Sequence, residues 1–289
     1  MQMEKYDIHL HLTHHQLPPL GKMKVSSAKN MLPHLDELGI RKGVLMSSGE
    51  GRTLPVTTNK ECAAIAAEMP DRFAWMCNVD PVHPETLSQR LAACKAQGAV
   101  GVGEIAINER LDSPFLKALL AAASENGLPV LFHMSPKEHY NYGVVDLPGL
   151  PLLEESLQAF PDLIFIGHSQ PFWHEISGDA SDDVEARNSW GSGPVVPGGR
   201  VSQLLDKYPN LYCDLSANSG GQAIMRDEAF GLAFLEKYKD RLMFGTDMTH
   251  VSMTFPLGEW METQCDCGKL SESCCRQIFK ENAQRILGI

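Results

Sequence analysis

Apolar and polar positions alternate in blocks along this chain, and the first block sets the frame. Residues 6–12 read Y-D-I-H-L-H-L, an apolar run carrying two histidines two positions apart. Side chains of a β-strand alternate faces with period two, so a strand here puts His9 and His11 on one face. Ile8, Leu10 and Leu12 then form the other, buried face. A strand buried on both sides rarely tolerates two imidazoles without ligands or partners.

The alternation continues to the C-terminus. A helical pattern over 27–38 stops at Gly39, a natural C-cap, and 42–47 (K-G-V-L-M-S) is strand-like. An alanine-rich helix over 58–69 ends at Pro70, followed by a third strand at 72–79 and a third helix at 85–97. Segment 99–105 (A-V-G-V-G-E-I) is a fourth strand carrying one acid, 113–126 is a helix closed by Gly127, and P-V-L-F-H is the fifth strand. A helix over 150–160, a sixth strand at 163–168, a long polar segment and a short helix near 201–208 follow. Strand 211–216, helix 227–238, strand 241–247 and a closing helix at 271–287 complete the pattern. Short apolar strands separated by helices of this length indicate a parallel sheet. About eight such units point to one closed (β/α)8 TIM barrel spanning 1–289. An open doubly wound sheet usually begins with a glycine-rich phosphate turn, which is absent after the first strand.

The chemistry-bearing residues fall at one kind of place. His9 and His11 end the first strand, Glu104 the fourth, His133 the fifth, His168 the sixth and Asp247 the eighth. In a barrel the C-terminal strand ends share one rim, where active sites are built. The remaining histidines, such as His34, His83, His139 and His174, are spread over loops and helices. Imidazoles with carboxylates suit zinc, or manganese and iron as the carboxylate share rises, and a bound divalent ion makes hydroxide available near neutral pH. Asp247 could take a proton from water, and His168 could polarise a substrate oxygen or protonate a leaving group.

D-I-H-L-H-L, G-V-G-E-I, V-L-F-H, F-I-G-H-S, Y-C-D-L-S, F-G-T-D and E-N-A-Q-R-I-L-G together resemble the amidohydrolase superfamily. More narrowly they resemble its amidohydrolase-related branch, which includes aminocarboxymuconate-semialdehyde decarboxylase and holds hydrolases, decarboxylases and hydratases. The resemblance implies a metal-dependent barrel enzyme with the ion on His9, His11, His133 and Asp247, and His168 touching the ion's water. Relatives with two metals bridge them through a fourth-strand carboxylate, the position of Glu104, or through a modified lysine. No lysine lies in 99–107.

Loops add candidate substrate contacts. Segment 169–199, with Phe172, Trp173 and Trp190, is longer than an ordinary βα loop and reads as a lid insertion. Trp173, Ser216, Asn218, Arg226 and His250 are candidate substrate-binding residues, with Lys137, His139 and Tyr140 further ones. Arg226 could meet a carboxylate bidentately.

Composition narrows the partners. With 43% hydrophobic and 21% charged residues, the 289-residue chain has the makeup of a globular protein. A net charge of -11 argues against nucleic acid or an anionic membrane as partner, leaving a small-molecule substrate; a homo-oligomer is compatible with it. The eight cysteines do not form a disulfide frame, and Cys265, Cys267, Cys274 and Cys275 are read as free thiols rather than a zinc cluster. This usage, and the absence of a leader before residue 6, fit a cytoplasmic location. The expected activity is hydrolysis of an amide, ester or lactone of a small carboxylated molecule at one or two zinc, manganese or iron ions. The alternative is decarboxylation of an unsaturated or aromatic acid, and a third reading is a metal- and ligand-binding barrel without turnover.

Overall fold

A computed structural model describes residues 2–19, 24–51 and 57–289. Eight parallel strands follow one another around a barrel: Lys5–Leu10, Ile40–Met46, Phe73–Cys77, Ala99–Ile105, Val130–Ser135, Phe165–His168, Leu211–Asp214 and Leu242–Met243. The eighth strand is short, yet the seam to the first closes through Ile8 N–H to Phe244 O at 3.0 Å, Asp247 N–H to His9 O at 2.8 Å and His11 N–H to Met248 O at 3.1 Å. The (β/α)8 barrel expected from the alternation is the fold. A further two-residue strand, Val144–Val145, pairs with the end of the fifth strand inside its βα loop. No helix among the described residues is long and apolar enough to cross a membrane.

Local chemistry sets most boundaries. Ser27, Thr58 and Ser113 each accept a backbone N–H at the start of helices Ala28–Glu37, Asn59–Glu68 and Pro114–Asn126, and Glu61 completes a capping box with Thr58. Gly127 ends the last of these in the left-handed region (φ 60°), where a glycine avoids the Cβ penalty. Helices Ala217–Met225 and Leu257–Asp266 carry no boundary signal recognised in the sequence. The closing segment is not one helix. It runs through Glu272–Arg276, a π-helical stretch Gln277–Glu281 and Asn282–Leu287, and the Ile278 carbonyl accepts the Phe244 N–H at 3.0 Å. A turn widened in this way spares a carbonyl for the barrel seam.

Two apolar layers fill the molecule. The inner one contains Ile8, Val44, Met46, Ala74, Met76, Leu131, Ile166, Tyr212 and Met243, whereas Leu10, Leu45, Trp75, Phe132 and Phe165 belong to the layer under the helices. Ile8 and Leu10 therefore lie in different layers, contrary to strict alternation. The register between the first two strands is irregular between Asp7 and Leu10, and that between the fourth and fifth is irregular between Val102 and Ile105. Such irregularities re-aim side chains, and here they occur at His9 and at Glu104. Below Glu104, a Cβ on Gly103 would lie 3.0 Å from the Leu131 side chain, so glycine lets the inner layer close beneath the acid.

Segment 169–199 departs from the expected aromatic lid. Phe172 and Trp173 are buried, in edge contact with each other and, for Trp173, with Phe234; only Trp190 is exposed. Buried Arg187 fastens the segment to the flank of the barrel, donating to Pro136 O at 2.9 Å and Asp146 O at 3.1 Å. The four C-terminal cysteines are free thiols, as expected, and among the described residues no cysteine joins a metal-capable group.

Candidate metal centre

The rim gathers all six metal-capable residues. His9 Nε2 and His11 Nε2 stand 3.0 Å apart, and Asp247 Oδ1 lies 3.5 and 3.2 Å from them respectively. Glu104 Oε2 is 3.8 Å from His9 Nε2 and 3.6 Å from His11 Nε2. Ligands about 2.1 Å from one tetrahedral ion are separated by roughly 3.4 Å, so the His9, His11 and Asp247 atoms fit around a single cation, with Glu104 Oε2 beside both imidazoles. The other Glu104 oxygen, Oε1, lies 2.7 Å from His133 Nδ1 and 3.6 Å from His168 Nε2. Glu104, His133 and His168 form a second metal-capable group, with Glu104 placed between the two. Of the ligand set implied by the resemblance, His9, His11 and Asp247 converge on one point, while His133 Nδ1 faces Glu104.

Behind these residues is a group to which its motif, Y-C-D-L-S, assigned no role. Asp214, fully buried at the end of the seventh strand, has Oδ2 at 2.7 Å from His9 Nδ1 and 3.1 Å from His168 Nδ1. Ser216 Oγ donates to the same oxygen at 2.7 Å, and Ser216 N–H donates to Oδ1 at 2.9 Å. An anion on both Nδ1 atoms keeps their protons there and turns the lone pairs of both Nε2 atoms toward the centre. The signal was available in L-Y-C-D, a carboxylate closing an apolar strand.

Charge explains the arrangement. Burial acts to raise Asp214, but hydrogen bonds from His168 and His9 outweigh it and hold it well below the usual carboxylate range. Burial likewise opposes ionisation of Glu104, and His133 and His9 overcome it, so Glu104 is held well below its ordinary value. Asp247 is lowered despite burial by His9, His11 and His168. Burial disfavours a charged His9, yet Asp247, Asp214 and Glu104 hold its pKa well above the usual value. Three carboxylates kept anionic beside imidazoles, Asp214 buried and Glu104 and Asp247 half-buried, are a donor set suited to divalent cations. Below His9, the Asp7 carboxylate accepts the His9 and Thr246 N–H groups, each at 3.0 Å, which locks the first strand to the eighth.

A cavity of about 460 Å³ opens beside His11, Glu104 and Asp247. It lies over strands two to four, with Val79, Ile105, Ile107, Phe115 and Met253 as apolar walls and Ser47, Ser48, Asn78, Asp80 and Tyr142 as polar ones. None of the five candidate substrate contacts lines it. Trp173 Nε1–H donates to Asp214 O at 3.1 Å from within the core, and Ser216 is spent on Asp214. Arg226 donates to Ser192 O at 3.1 Å in a separate crevice, and His250 pairs with Ser252 at 2.9 Å. Asn218 sits on helix Ala217–Met225, away from the cavity walls.

A profile described as amidohydrolase matches residues 6–289. The chain belongs to the amidohydrolase family. No curated protein sequence matches it significantly. Among solved structures, it resembles 2,6-dihydroxybenzoate decarboxylase from Rhizobium, at 16% identity over 100% of this chain and 99% of that one, with a TM-score of 0.63. A dihydroxybenzoic acid decarboxylase from Polaromonas sp., with bound manganese and 2-nitroresorcinol, is 16% identical over 99% and 97% of the two chains, with a TM-score of 0.61. A probable 2-pyrone-4,6-dicarboxylic acid hydrolase from Acinetobacter baumannii, with citric acid bound, is 16% identical over 99% and 100%, with a TM-score of 0.59. At such identities the likeness establishes the shared fold, whereas membership of the family brings with it an enzyme with a divalent-metal site.

Proposed function

We propose that this amidohydrolase-family chain is a metal-dependent lyase that decarboxylates a small unsaturated or aromatic acid. This was the alternative in the sequence, where hydrolysis stood first. The observation that carries it is the apolar cavity opening on Asp247: of Asp247 and His168, only Asp247 reaches the cavity wall. Apolar walls that include Ile105, Ile107 and Phe115 suit an unsaturated ring. The decarboxylases among the structural neighbours support the same choice.

His9, His11 and Asp247 would hold one ion, and Glu104, His133 and His168 a second, with the other Glu104 oxygen facing the first group. The ion, when bound, polarises a substrate oxygen as a Lewis acid. Imidazoles mixed with carboxylates suit manganese or iron as well as zinc. The chain does the rest. The apolar walls orient the ring and exclude water from it. The bond between ring and carboxyl group breaks, its electron pair stays on the ring carbon, and carbon dioxide leaves. The proton that completes the new C–H bond comes from solvent, and Asp247 would relay it to the ring carbon, ending ionised as it began. With only the first ion bound, His168 Nε2, 4.0 Å from Asp247 Oδ2 and backed by Asp214 on its other nitrogen, is placed to pass the solvent proton to Asp247.

Hydrolysis of an amide, ester or lactone is the second reading, because His9, His11 and His168 hold Asp247 ionised, which suits a proton acceptor. The two are separated by incubating the metal-loaded protein with hydroxybenzoates and with lactones in isotopically labelled water. Decarboxylation releases carbon dioxide and puts solvent deuterium on carbon; hydrolysis puts solvent ¹⁸O into a carboxylate. Labelled acid without carbon dioxide overturns the lyase assignment.

A further inference from the structure

We propose that Tyr142 is a substrate-binding residue, its phenol donating a hydrogen bond to an oxyanion of the bound molecule. The proposal rests on the cavity beside His11, Glu104 and Asp247 being the substrate site, and adds a residue that neither motif nor resemblance indicated. Tyr142 lines that cavity and is 60% exposed, so much of its ring is open to whatever fills the space. Its ring lies on His133, with centroids 4.3 Å apart and planes at 41°.

The backbone that carries it is fixed. Gly143 N–H donates to Ala106 O at 2.9 Å, Asn108 Nδ2 donates to Gly143 O at 3.1 Å, and Val144–Val145 pairs with Met134 and Ser135. Gly143 has φ +114°, and a Cβ there would stand 2.7 Å from the Met134 carbonyl carbon and 2.9 Å from the His133 ring. Only glycine lets the chain press this closely on the fifth strand, and that pressure holds Tyr142 over the centre. Tyr140, two residues before it, already donates its hydroxyl to Glu185 at 2.7 Å. The Tyr142 hydroxyl has no hydrogen-bond partner among the described residues, although its ring is held in place. A donor placed in this way is preorganised for an acceptor that arrives with the ligand.

The test compares Tyr142→Phe, which keeps the ring on His133, with Tyr142→Ala, which removes it. Calorimetry on the manganese-loaded protein measures the affinity of two oxyanion probes, 2,6-dihydroxybenzoate and citrate, while elemental analysis follows metal content. Tyr142→Phe should weaken the tighter-bound probe about 10-fold with metal content unchanged, the effect of one hydrogen bond to a charged acceptor. Tyr142→Ala should weaken it at least as much. Wild-type affinity in Tyr142→Phe, with loss only in Tyr142→Ala, reduces Tyr142 to packing for His133 and overturns the proposal alone. Failure of the wild-type protein to bind either probe overturns the assignment of the cavity, and the role of Tyr142 with it.

Discussion

Replacing Asp214 by asparagine tests whether the centre depends on a residue that touches no ion. The carboxylate accepts from His9 Nδ1, His168 Nδ1 and Ser216 Oγ through one oxygen and from Ser216 N–H through the other. An amide keeps the volume but has one acceptor. If its oxygen stays on Ser216 N–H, its NH₂ faces both imidazoles, whose Nδ1 atoms must then accept. Each ring moves its proton to Nε2, which points a hydrogen into the place of the cation. Hydrogen bonds to a charged group contribute about 1.5–3 kcal/mol each, but the rings can re-form bonds in the other tautomer, so the full sum is not lost. The expected effect is a drop in metal affinity of 10- to 100-fold, about 1.4–2.8 kcal/mol. Chelator competition followed by elemental analysis measures it, and the thermal midpoint of the metal-free protein checks that the barrel survives. Ser216→Ala, which keeps the carboxylate, should change affinity less than 3-fold, about 0.7 kcal/mol. Wild-type metal affinity in folded Asp214→Asn would show that the histidines are oriented without it.

Glu104→Gln should lower metal stoichiometry as well as rate, because its two oxygens face the two ligand groups separately; unchanged stoichiometry and affinity would leave Glu104 a substrate or proton-transfer residue. Asp247→Asn should reduce kcat by about 100-fold or more with little change in KM at matched metal content, since an amide cannot carry the proton; comparable turnover would move that role to His168. The last prediction concerns stability away from the centre. Burial pushes Asp146 up to about 6, against the hydrogen bonds it accepts from the Leu147, Leu152 and Leu153 N–H groups. A folded pKa above the ordinary 3.8 means the protonated form favours folding, so the contribution is full below that value and is lost as pH rises through about 6. Urea unfolding at pH 4 and pH 7.5 should show a component on the order of 3 kcal/mol that Asp146→Asn removes. Equal pH dependence in both proteins would refute it.

Much of this molecule was legible because the determining contacts are local. Ser27, Thr58 and Ser113 announce their helices through bonds to residues three positions on, and the alternation of short strands with helices leaves few ways to bury both faces of a sheet. The six metal-capable residues could be assigned to one rim for the same reason: in a parallel barrel, the end of a strand fixes where its last side chain goes. What only the tertiary structure decided depends on neighbours far away in the chain. The faces of His9 and Glu104 follow from irregular pairing with the next strand, which no period in their own segments records. Phe172 and Trp173 look like a lid by composition, but Trp173 is committed by contacts with Asp214 and Phe234 to the core. Asp214 shows its role only when the strands close and bring His9, 205 residues away, within 2.7 Å. Tyr142, two residues beyond the sequence candidate Tyr140, faces the cavity because Gly143 presses its backbone on the fifth strand. A sequence specifies which side chains are near a strand end, whereas barrel closure specifies which of them meet.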